Sequence, residues 1–113
     1  MLATALLGIK NVQSSYLEQF DREMGCTVAE WLMWLPAALG EVVWNQQGDA
    51  VHANFAAVPT ASLHISWRAG EPRRIALISL PRLHVHFAFT GMDDAQRYTF
   101  MKRFDLYMQR GGG

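Results

Sequence analysis

Residues 83–90, Leu-His-Val-His-Phe-Ala-Phe-Thr, alternate large apolar side chains with small or polar ones at every position. This run constrains the fold more than any other feature. A period of two sends successive side chains to opposite faces of a strand. Leu83, Val85, Phe87 and Phe89 therefore point one way, and His84, His86, Ala88 and Thr90 the other. Three residues on, Asp93-Asp94-Ala95-Gln96 reads as a capping box with two acids at the positive end of a helix dipole. Phe100, Met101, Phe104, Tyr107 and Met108 then fall on one helical stripe that runs to about Gln109. A one-sided strand followed by a one-sided helix buries both apolar faces most simply against each other, which predicts an α+β protein with this helix packed on one sheet face.

The rest of the chain is read around that unit. Ser15-Tyr16-Leu17-Glu18 has the capping-box pattern, and Val12, Tyr16, Phe20 and Met24 recur at four-residue spacing before Gly25, which predicts a first short helix. Thr27-Val28-Ala29-Glu30 repeats the cap and opens Trp31-Leu32-Met33-Trp34-Leu35, a second short helix expected to end or kink near Pro36, with Gly40 closing the helical half. The period then changes to two. Strands are predicted at 41–44, 50–55, 62–68, 73–80 and 83–90, with turns at 45–49, 59–60, 69–72 and 81–82. Short connections favour antiparallel hairpins, so the reading is a four- to five-stranded antiparallel meander. In that meander Leu63, Ile65 and Trp67 share a face with Ala76, Ile78 and Leu80 and with Val85 and Phe87. The 113 residues are read as one domain, 1–113, with 1–11 irregular or loosely packed and 110–113 a frayed tail.

Composition narrows the class. Half the residues are hydrophobic and 18% are charged, the balance of a chain that folds. A formal net charge of zero argues against a nucleic-acid partner, since such binding draws on neutralised phosphates. The charges are unevenly spread, however. Six of the ten acids precede His64, whereas eight of the ten cations follow it, an asymmetry able to guide a partner or an anionic ligand. No apolar run approaches the ~20 residues needed to cross a bilayer, so no membrane partner is expected. Met1 to Ile9 is apolar but lacks a basic start and a small-residue cleavage site, and Cys26 stands alone. The expectation is a cytoplasmic protein.

All four histidines, His52, His64, His84 and His86, lie on predicted strands opposite the large apolar residues of those strands. With each hairpin tightly paired, His64 and His86 would both lie opposite Leu77. Their backbones would then stand ~10 Å apart, too far for ligands that must approach one ion within about 2.1 Å. No metal and no cofactor is assigned. The same face carries Ile75, Leu77 and Ala88, so it mixes polar and apolar residues, and something is expected to cover it: the chain's own N-terminal helices, a second copy or a ligand.

Other features are weaker. Trp31 and Trp34, three apart on a helix, would give an aromatic wall or simply core. Cys26 precedes a helix N-terminus, where the dipole would lower a thiol pKa, yet no local motif supplies a base. Arg73 and Arg74 are adjacent on a strand and project to opposite faces, so they cannot share one cluster. The tail Arg110-Gly111-Gly112-Gly113 resembles the diglycine ends of ubiquitin-like modifiers and sulfur carriers, but here it follows a helix rather than a strand. No GxxxxGK[ST], GxGxxG, GxSxG, HExxH or paired CxxC motif occurs.

These observations predict a small binding or protein-interaction module without assigned catalytic residues. It is expected to self-associate as a homodimer through the face mixing His64, Leu77, His84 and His86, or through the Trp31/Trp34 helix. The alternative is a small-molecule pocket or small enzyme, with a histidine metal site as the third reading. Two helices, a meander and a long last helix resemble, in element order alone, a shortened helix-grip arrangement of the START-type lipid-binding domains. That resemblance implies a cavity lined by His64, His86, Trp67 and Arg68, with a histidine as acid or base.

Overall fold

The computed structural model describes residues 15–111. In chain order its elements are β1 (Gln19–Met24), α1 (Val28–Leu39), β2 (Val43–Gln47), β3 (Ala50–Phe55), β4 (Val58–Ala69), β5 (Arg73–Ile75), β6 (Ile78–Leu80), β7 (Leu83–Thr90) and α2 (Asp94–Gly111). Five strands form one antiparallel sheet in the order β1-β7-β4-β3-β2, while β5 and β6 pair only with each other. The class is α+β with a C-terminal helix, as expected. The expectations for residues 1–11, Val12, Gly112 and Gly113 lie outside the described residues.

The first predicted helix is instead the edge strand β1. A four-residue spacing is a multiple of two as well as close to a helical turn, so Tyr16, Phe20 and Met24 fit a strand equally well. The residue that distinguishes the two patterns is Arg22, which lies half-buried on the same side as Phe20 and Met24. Its charge hid the alternation. Arg22 forms a bidentate pair with Asp105 of α2, at 2.6 and 3.3 Å, and its guanidinium lies over the Phe20 and Phe87 rings. The Tyr16 hydroxyl donates to the same carboxylate at 3.1 Å. β1 is thereby locked to both its sheet neighbour and the last helix.

The meander is also revised. Residues 73–80 do not lie between 62–68 and 83–90. β4 pairs directly with β7, Leu63 opposite Phe89 and Ala69 opposite Leu83, and the two prolines Pro72 and Pro81 bracket a separate hairpin, β5–β6, that projects beyond the sheet as an arm. All of its residues are exposed, so Ala76, Ile78 and Leu80 are not part of the core face. The arm's turn places Ala76 at φ 55°, a left-handed conformation that costs an alanine roughly 1 kcal/mol.

Both helices cover one face of the sheet. α1 leaves one edge strand and returns to the other, so it crosses the inner face. The core joins Leu63, Ile65, Trp67, Val85 and Phe87 to Trp31, Leu35 and Leu39 of α1 and to Met101, Phe104 and Met108 of α2. Phe104 stands edge-on to Phe87 with centroids 5.5 Å apart. Pro36 neither ends nor begins a helix here. α1 runs on to Leu39, because Leu35, Ala38 and Leu39 are buried and Arg103 of α2 donates to the carbonyls of Ala37 and Ala38. A cation at these last carbonyls offsets the one lost hydrogen bond.

Candidate functional site

With the helices on the inner side, the outer face carries every second residue of all five strands. The register brings the histidines closer than the hairpin reading allowed. His52 stands directly opposite His64, and His64 opposite Ala88 rather than Leu77. Ser66 faces His86, which in turn faces Asp21. In the next row Arg68 faces His84, which faces Glu23. Directly opposed residues of an antiparallel pair have Cα atoms about 4.5–5.5 Å apart, so each row forms a continuous line of polar groups across β4, β7 and β1.

These two rows line an open groove of about 560 Å³, bounded by Asp21, Glu23, Ser66, Arg68, His84 and His86. Asp21 accepts a hydrogen bond from His86 at 2.8 Å through Nδ1, which orients the ring and leaves Nε2 as its free nitrogen. Glu23 faces two arginines from the base of the arm, Arg82 at 3.2 Å and Arg73 at 3.8 Å. His84 is positioned differently. Its ring packs over Gly70, where an added Cβ would lie 2.4 Å from Nε2. Arg68 is exposed and makes no ion pair among the described residues.

Hydroxyl, imidazole and carboxylate succeed one another from Ser66 to Asp21, the order of nucleophile, base and orienting acid. Two features separate the row from an acyl-transfer centre. No hydrogen bond joins Ser66 to His86, and β4 is paired on both sides at Ser66, so its amides are spent in the ladder and offer no oxyanion hole. No group of three or more His, Cys, Asp or Glu able to hold a metal ion occurs among the described residues. What the row can do is donate and accept hydrogen bonds across a shallow groove.

The remaining candidates fall elsewhere. Leu77 is fully exposed at the tip of the arm, away from the histidine face. Trp31 and Trp67 are buried in the core with ring centroids 5.6 Å apart, and Trp34 packs half-buried against it, so the tryptophans form no external wall. Trp67 and Arg68 lie on opposite faces, which divides the lining implied by the helix-grip resemblance; the two helices before the sheet on which that resemblance rested are one helix and a strand. Cys26 is buried, and burial, with the Glu30 charge beside it, pushes its thiol up to about 11, the reverse of an activated nucleophile. The four-residue spacing of Tyr16, Phe20 and Met24 predicts a helix here and so hides the carboxylates Asp21 and Glu23, which lie on a strand. Alternation of Phe20, Arg22 and Met24 was the available signal.

A second concave surface lies at the far end of the sheet, an apolar groove of about 610 Å³ lined by Leu39, Val42, Phe55, Val58, Met92 and Phe100. No helix of the described residues is long and apolar enough to cross a membrane. Among the described residues the molecule is thus an α+β protein with one five-stranded antiparallel sheet, both helices on one side and no helix on the other. Comparison with protein-family models, curated proteins and solved structures finds no match for this chain.

Proposed function

We propose that the protein is an interaction module that self-associates, the β5–β6 arm of one copy lying in the apolar groove of a second. The observation that carries this reading is the arm itself: Ile75, Leu77, Ile78 and Leu80 are 54%, 102%, 60% and 43% exposed on a hairpin with three residues per strand. An isolated two-stranded hairpin is marginal in water, and an apolar one gains from being covered. The mixed-face interface expected from the sequence moves accordingly, since Ile75 and Leu77 leave the histidine face and concentrate here.

A second copy is the occupant because arm and groove sit at opposite ends of one long hairpin. The arm extends from Ala69 and Leu83, whereas the groove surrounds Val58 and Met92, and the twelve residues of β4 separate them by roughly 40 Å. The arm of one chain cannot reach that chain's own groove. Two chains laid antiparallel fill both, and a twofold axis closes the assembly without leading to a filament. Fully burying a Leu or Ile contributes ~1.5–3 kcal/mol and association costs of the order of 4–15 kcal/mol, so covering eight partly exposed side chains supplies a gain of the same order as the cost, the balance of a reversible dimer. A cytoplasmic setting goes with this reading, Cys26 being a buried free thiol; nucleic acid and membrane have no part in it.

The test is light scattering after gel filtration. Wild type is expected as a dimer at tens of micromolar, and Leu77→Asp with Ile78→Ser as a folded monomer. A wild-type monomer at that concentration, or a dimer untouched by the double variant, overturns the proposal.

A further inference from the structure

The histidine-bearing groove plays no part in that association, and its charges are unequally satisfied. Asp21 is engaged by His86, and Glu23 is flanked by Arg73 and Arg82. Arg68 alone of the charged groups lining the outer face of the groove lacks an opposite charge among the described residues. The local surplus is therefore positive, and it lies beside three further polar groups. Ser66 sits two residues away on the same side of β4, and His86 and His84 stand directly across from Ser66 and Arg68.

We propose that this groove binds a small oxyanion, the carboxylate or phosphate of a metabolite-sized molecule. Arg68 supplies the planar fork that matches two oxygens of such a group, and the Ser66 hydroxyl donates from the same strand. His86, its ring oriented by the 2.8 Å contact of Nδ1 with Asp21, turns Nε2 as a polar edge toward the same space. His84 borders the site because residue 70 is glycine, and its ring occupies the space a side chain there would take. The groove's volume of about 560 Å³ suits a small molecule rather than a polymer. Its openness to water predicts weak binding, with dissociation constants of the order of millimolar for the bare anions.

The test titrates the isotope-labelled full chain with sodium phosphate and, separately, with sodium acetate, at constant ionic strength and followed by NMR. Saturable shifts confined to the signals of Ser66, Arg68, His84 and His86 are expected, and whichever anion saturates at lower concentration identifies the group. Arg68→Ala should weaken that binding at least tenfold and Arg68→Lys about threefold, while Arg74→Ala, at an arginine likewise exposed but on the arm, leaves it unchanged. Gly70→Ala should shift the His84 signals and weaken binding with the spectrum otherwise folded. Linear, non-saturating shifts with both anions, or equal losses in Arg68→Ala and Arg74→Ala, overturn the proposal. Because Arg68 lies outside the arm and its groove, the dimer measured by light scattering is expected to survive Arg68→Ala, so the two proposals fail separately.

Discussion

Replacing Asp105 by alanine tests the contact that holds β1 to the rest of the molecule. The carboxylate accepts from both terminal nitrogens of Arg22 and from the Tyr16 hydroxyl, and the Arg22 and Asp105 side chains are only 20% and 19% exposed. Hydrogen bonds to a charged group contribute ~1.5–3 kcal/mol each, and removing one member of a largely buried pair costs more than the same change at an exposed one. Arg22 would keep its place over the Phe20 and Phe87 rings but lose the Asp105 carboxylate. Partial solvation lowers the total, and a loss of ~2–3 kcal/mol is expected, which for a domain of this size lowers the melting temperature by about 10 °C. Urea denaturation followed by tryptophan fluorescence measures it, and the slope of the transition should not change. Arg22→Met, which keeps the aliphatic stem over the rings, completes a double-mutant cycle with an expected coupling of about 1–2 kcal/mol. A loss below ~0.5 kcal/mol, or strict additivity, would refute the view that this pair adds to backbone pairing with β7 in securing the strand.

Two further outcomes follow from the same core. Burial, reinforced by Asp105, pushes the Tyr16 hydroxyl up to about 12, and burial pushes the Cys26 thiol up to about 11. Both groups are neutral when protonated and both have folded values above their unfolded ones. Their contribution is thus fully present below pH 9 and is lost as pH rises, from 9 to 11 for Cys26 and from 10 to 12 for Tyr16. Stability measured in urea should fall above pH 9 at about 1.4 kcal/mol per pH unit per group, and Cys26→Ala should delay the onset by about one unit; a flat profile to pH 11 would contradict the assignment. Gly91→Ala should destabilise by ~2–3 kcal/mol in the same assay, because Gly91 has φ 75° and an added Cβ would lie 2.8 Å from the backbone carbonyl of Thr60, which cannot swing away.

Legibility in the sequence depended on whether one element's pattern was enough. Leu83 to Thr90 and the stripe of Met101, Phe104 and Met108 were readable because each exposes a single apolar face over several turns or pleats. The capping box at Thr27 and Glu30 was equally local, and both of its hydrogen bonds are present. β1 was not readable, since its inward Arg22 is neutralised by Asp105, a residue 83 positions away. Nor was the arm, whose Ile75, Leu77, Ile78 and Leu80 have the composition of a buried strand while lying in water.

By itself, then, the sequence determined which faces of which segments are apolar: the α+β class, the one-sided strand at 83–90, the helix from Asp94 and the histidines' separation from the core. Periodicity is a property of the chain and needs no partner. Which strands pair was decided only by the tertiary structure. Direct pairing of β4 with β7 set Ser66 against His86 and Arg68 against His84, brought Asp21 and Glu23 alongside, and expelled 73–80 from the sheet. Register is a relation between distant segments, and a groove formed by three strands exists only once that relation is settled.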